Sequence, residues 1–197
     1  MDTHRTRRRT LLALAGVVAV ASIATGAGAV SLALFTSTTN VTGTFATGTL
    51  TIGTTPASTL ITFTAMAPGD QITAPLTVQN TGSLDLRYAV SSTATNADGK
   101  GLKDQLVLTI KSGVTTCSNA AWGADGSVLY TGDLDGTTGV LIGNPATGAD
   151  PGDRNLLAGA SEVLCFNVTL PLSTGTAFQA ATSTATFTFD AEQTKNN

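Results

Sequence analysis

The chain has 197 residues, of which 12% are charged, 5% aromatic and 42% hydrophobic. That length suits one domain plus a targeting segment, and that apolar share can fill a buried core, which excludes a disordered polymer. The formal net charge is −3; without Asp2, Arg5, Arg7, Arg8 and Arg9 it becomes six basic against twelve acidic residues, an acidic surface that repels phosphate backbones and argues against nucleic-acid binding.

Arg5 to Arg9 form a positive region, Leu11 to Ala24 is strongly apolar, and no charge occurs from Leu11 to Phe35. Small residues follow in Ala27-Gly28-Ala29 and Ser31-Leu32-Ala33. This order predicts a secretory signal peptide over residues 1–33, with a hydrophobic signal helix, followed by a secreted domain over residues 34–197. The protein is therefore expected outside the cell or on its surface, touching a membrane only through the signal segment and meeting a signal peptidase during export. An uncleaved anchor is the alternative, because an uncharged stretch this long can cross a bilayer. Its Gly- and Thr-containing second half is weak for that purpose. Arg8-Arg9-Thr10-Leu11-Leu12 is also similar to a twin-arginine signal, so the export route stays open.

Beyond the leader, patterns of period two dominate, as half-buried strands require. Short strands are expected at Leu50 to Ile52 and Leu60 to Phe63, followed by the turn residues Pro68-Gly69-Asp70. Ile72, Ala74, Leu76 and Val78 then alternate with Thr73, Pro75, Thr77 and Gln79. Pro75 cannot donate to a ladder, which points to an edge position or a bulge. The turn Asn80-Thr81-Gly82-Ser83 leads to a strand at Tyr88 to Ser92, and Asp98-Gly99 marks the next turn. Gly101 to Leu106 is read as one helical turn, and Leu106, Leu108 and Ile110 as one strand face. Residues 112–160, rich in Gly, Asp, Asn and Thr, form a long excursion with one or two short strands, one at Val128 to Tyr130. Leu164, Phe166, Val168 and Leu170, and later Phe187 and Phe189, complete the series. About eight short strands with no long amphipathic helix predict an all-β sandwich or jelly roll. The two cysteines, Cys117 and Cys165, lie beyond the leader. In an oxidising compartment they are expected to pair, closing about 49 residues and contributing roughly 4 kcal/mol in the chain-entropy model. Two unpaired buried thiols are the alternative.

A wider resemblance rests on the order of several short motifs. The leader runs into Leu34-Phe35-Thr36 and Phe45-Ala46-Thr47-Gly48-Thr49-Leu50, then Ala67-Pro68-Gly69-Asp70 and Asn80-Thr81-Gly82-Ser83-Leu84. The chain closes with Phe187-Thr188-Phe189-Asp190-Ala191-Glu192-Gln193. This arrangement resembles the TasA/camelysin family, secreted proteins processed by the SipW-type signal peptidase. Leu157 to Pro171, with Leu164-Cys165-Phe166, is similar to actinobacterial members. The resemblance implies a jelly-roll sandwich, export, and a role in extracellular fibres or biofilm matrix. It also implies cleavage shortly before Phe35, between Ala33 and Leu34, with Ala29 and Val30 as the alternative pair.

Self-association is then expected through the freed N-terminus. Leu34, Phe35, Val41 and Phe45 are the candidate strand-donor residues, because an uncharged Thr-rich arm can add to an exposed sheet edge. The arm could instead fold back as its own subunit's first strand or form a loose stalk. A monomeric adhesive surface module is a further alternative. A camelysin-like metalloendopeptidase is disfavoured, since the single histidine is His4, inside the leader, and no H-E-x-x-H helix exists. No Ser-His-Asp triad can form in the secreted part for the same reason. No catalytic residue and no cofactor are expected. Asp133-Leu134-Asp135-Gly136 is a fragment of a calcium-loop pattern, with Asp125 and either Asp150 or Asp153 as additions, but a solvated turn is the simpler reading.

Overall fold

The computed structural model describes residues 42–123 and 125–196. The predicted signal helix, the cleavage positions Ala29, Val30, Ala33 and Leu34, and the arm residues Phe35 and Val41 lie outside the described residues. The chain divides into two compact units, Met1–Phe45 and Ala46–Asn197. Of the first, only residues 42–45 are described; they are exposed and form neither helix nor strand.

The second unit is an all-β sandwich, as expected. Its strands are β1 (Ile52–Thr55), β2 (Gln71–Asn80), β3 (Leu86–Ala94), β4 (Val107–Ser112), β5 (Ser127–Gly132), β6 (Val140–Ile142), β7 (Arg154–Leu156), β8 (Ser161–Thr169) and β9 (Ala185–Gln193). One antiparallel sheet has the order β1-β2-β8-β4-β5. In the other, β3 is flanked on one side by β9 along its whole length and on the other by β7 and then β6. Alternation explains the layers. Leu76 and Val78 of β2, Leu164 and Phe166 of β8, Leu108 and Ile110 of β4, and Leu86, Tyr88 and Val90 of β3 meet in one buried core.

Three expectations need correction. Leu60 to Phe63 forms no strand: β1 ends at Thr55, before Pro56, which lacks the N–H a ladder needs. The first strand itself starts at Ile52 rather than Leu50. The 112–160 excursion holds three strands, β5, β6 and β7, instead of one or two, since β6 and β7 are too short for alternation to reveal them.

Two strands are buried on both faces, and each time a loop supplies the second cover. Cys165, on the outer face of β8, is fully buried and bonded to Cys117, with Cα atoms 5.6 Å apart across 48 residues. The expected disulfide thus pins residues 113–123 onto the outside of the first sheet, where Lys111 Nζ sits 4.4 Å from the Trp122 ring centroid. Arg87, on the outer face of β3, is 6% exposed and pairs with Glu192 beneath residues 143–153.

Candidate functional site

The sandwich has unlike ends. At one end, β2 turns into β3 and the chain enters the domain. Thr49 N–H donates to Ser83 Oγ at 2.9 Å, and Ser83 N–H returns a bond to Thr49 O at 2.9 Å. Gly82 is required here, because any Cβ would collide with the Thr49 carbonyl. Asn80 points inward and is 1% exposed. Its amide donates to the carbonyls of Leu84, Leu156 and Leu157 at 2.8, 3.2 and 3.1 Å. Glu162 bridges the two sheets, accepting from the buried Tyr88 hydroxyl and from the Arg154 guanidinium. Burial, and then the Glu162 hydrogen bond, push the Tyr88 hydroxyl pKa far above its ordinary value. The Glu162 hydrogen bond also raises that of Arg154.

The other end is open. Here a cavity of about 1290 Å³ lies between the sheets. Ile72 and Leu76 of β2, Val168 of β8, and Phe187 and Phe189 of β9 line it. β1 reaches β2 only at Thr77 to Asn80, so Gln71 to Leu76 carry no described partner on that side. Pro75 falls in this unpartnered half, as its chemistry suggested. From Ala185 to Asp190, β9 pairs with β3 and with no second strand among the described residues. Across the sandwich β5 and β6 touch, so the opposite flank is closed. Two open edges therefore face one another across an apolar groove.

Residues 56–68 and 174–184 form the rim of this groove. Leu60, Ile61 and Met66 pack against the core, while Phe63 is 44% exposed. Sequence reasoning did not find the groove. Its walls read simply as ordinary alternating strands, and nothing local shows that a strand lacks a neighbour.

The other predicted residues distribute as follows. Phe45 is 95% exposed. Asp133 and Asp135 come together with Asp104, which sequence reasoning had not included, their carboxylate oxygens within 4.8 Å of one another. Asp125 instead accepts from Thr115 N–H at 3.0 Å, and the resulting hydrogen bonds lower its pKa. Asp150 and Asp153 hold the Asn144 turn. Lys103 Nζ lies 2.9 Å from Asp104 and 3.0 Å from Asp135, and these two bonds, Asp104 first, raise the lysine pKa. The Tyr130 hydroxyl donates to the Asp133 carbonyl at 2.8 Å and, chiefly through burial, has a pKa pushed up to about 12.

A family model described as camelysin metallo-endopeptidase matches residues 9–120, more than half of the chain. The chain belongs to the camelysin metallo-endopeptidase family. The TasA/camelysin resemblance drawn from the motif order is thus borne out. A search of curated proteins finds no match. In this camelysin-family chain the match starts at Arg9, runs through the strands up to β4 and ends in the loop after Cys117. The zinc a metallo-endopeptidase would need does not fit the residues present. No histidine lies in residues 42–196, both cysteines are joined, and the one carboxylate trio among the described residues already hydrogen-bonds Lys103. Zinc sites are built from imidazole, thiolate and carboxylate, whereas three carboxylates alone offer only hard oxygen donors. Among the described residues no helix is long and apolar enough to cross a membrane.

Proposed function

We propose that this protein is a secreted structural subunit that assembles head to tail by strand addition, without a catalytic role or a resident cofactor. One observation carries the reading: two stretches of strand edge, Gln71 to Leu76 of β2 and Ala185 to Asp190 of β9, have no second strand beside them among the described residues and flank an apolar groove at one end of the sandwich. The chain enters the domain at the opposite end, beside Ser83. The ten residues of β2 separate those ends by roughly 30 Å. An arm leaving one end of a subunit is thus well placed for the groove of the next. A head-to-tail contact of this kind does not close on itself, so it gives filaments. An added strand would gain main-chain bonds along the β9 edge and bury its apolar residues against Phe187 and Phe189. The uncharged, Thr-rich arm with Leu34, Phe35, Val41 and Phe45 has the composition for that role.

Export supplies the control. While the arm is joined to the leader, its start is held at the membrane; signal-peptidase cleavage between Ala33 and Leu34 frees it. N-terminal sequencing of the protein from culture medium should read from Leu34, or from Val30 if the alternative pair is used. Deleting Leu34 to Thr44 should abolish fibres in electron micrographs, and undiminished fibres would refute strand donation. A monomeric surface module predicts instead one unchanging mass by light scattering at all concentrations.

The family description favours a second reading, a secreted peptidase. Casein zymography with and without a chelator separates the two: chelator-sensitive clearing would replace the structural reading.

A further inference from the structure

The rim segment between β1 and β2 carries an inference beyond strand addition, although it rests on that reading. Residues 59–66 read Thr-Leu-Ile-Thr-Phe-Thr-Ala-Met, an alternating run rich in β-favouring side chains. Ile61-Thr62-Phe63-Thr64 repeats the face pattern of Ala185-Thr186-Phe187-Thr188 on β9. Yet residues 57–66 form no strand, and none of their backbone groups pairs with another described backbone group. Leu60, Ile61 and Met66 hold the segment against the core, so it lies along the groove outside any ladder of the described residues. A strand-forming sequence parked without a ladder beside an open slot lacks only a neighbouring backbone.

We infer that residues 57–67 are a latent wall of the groove, and that Thr59–Ala65 becomes a strand by pairing with the extended segment of a second copy that enters it. A strand added to β9 would itself present a new open edge toward this rim. Pairing there satisfies both edges at once and encloses the apolar side chains of the added segment. The occupant is thus gripped between β9 and the former loop. Thr62 and Phe63 are exposed in the free subunit, so substituting them does not disturb the core.

Amide hydrogen exchange on the cleaved protein, before and after assembly, tests this. Residues 59–65 should exchange freely in the free subunit and at least about tenfold more slowly in fibres. Thr62→Pro and Phe63→Pro form the second arm. Successive N–H groups point to opposite sides of a strand, so one of these prolines must remove a donor that faces the added segment. That variant should lose fibre formation while both keep the melting temperature of the free subunit, and Thr62→Val should assemble normally. Fibres with fast exchange at residues 59–65, or normal fibres from both proline variants, would overturn the inference and leave strand addition at β9 standing. No fibres and no protection at any soluble concentration would overturn both.

Discussion

The two ends of the sandwich are made from the same strands yet solve opposite problems. Where β2 meets β3, inward positions that alternation would make apolar are occupied by Asn80 and Glu162. Asn80 ties three carbonyls together, and Glu162 joins Tyr88 and Arg154. Where β8 ends and β9 begins, the inward positions are Ile72, Val168 and Phe187, all apolar, and they line the open groove. A polar network with every partner present is directional and fixes one arrangement of two sheets. An apolar surface with open edges specifies little by itself and can accept a strand of suitable alternation. Rigidity and availability are thus segregated along one set of strands.

Breaking the closed end should have the largest effect. Glu162→Ala strands the Tyr88 hydroxyl and the Arg154 guanidinium, and should cost about 3 kcal/mol in urea unfolding. Asn80→Ala should cost about 2 kcal/mol, because three carbonyls lose a shared donor. The open end should respond weakly in the free subunit: Phe63→Ser should change stability by less than about 0.5 kcal/mol, because the side chain is largely exposed. An equal loss from Phe63→Ser and Asn80→Ala would abolish the contrast.

The ends should also differ in pH dependence. Tyr88 keeps its proton far more tightly when folded than when unfolded, where it ionises near about 10. Its contribution is therefore complete below about pH 10 and lost as pH rises beyond that. Tyr88→Phe should flatten the alkaline fall of the melting temperature. Near the open end, the Asp98 carboxylate accepts from the N–H groups of Lys100 and Thr182, which lower its pKa. That contribution is present above the ordinary carboxylate range and fades as pH falls below it. Asp98→Asn should remove the smallest effect of the set, seen as a slightly shallower acid limb.

Legibility in the sequence followed the range of the physical cause. The faces of β2, β4, β8 and β9 were readable because each strand carries its own alternation of apolar and polar residues, as in Leu164 to Leu170. The Asn80 turn was readable from its residue types, although not the reach of the Asn80 side chain to Leu156. The Leu60 to Phe63 strand was misread for a matching reason. Its alternation is real, but pairing also needs a free backbone in register, and Pro56 breaks the approach from β1. Asp104 was missed beside Asp133 and Asp135 because nearly thirty residues separate it from them in the chain.

By itself the sequence determined the all-β class, the strand faces and the family likeness, since each rests on neighbours within a few residues or on motif order. Only the tertiary structure decided which edges go unpaired, that they face one apolar groove, and that a polar clasp shuts the far end. Those are properties of strands brought together from distant parts of the chain, and no local pattern encodes the absence of a neighbour.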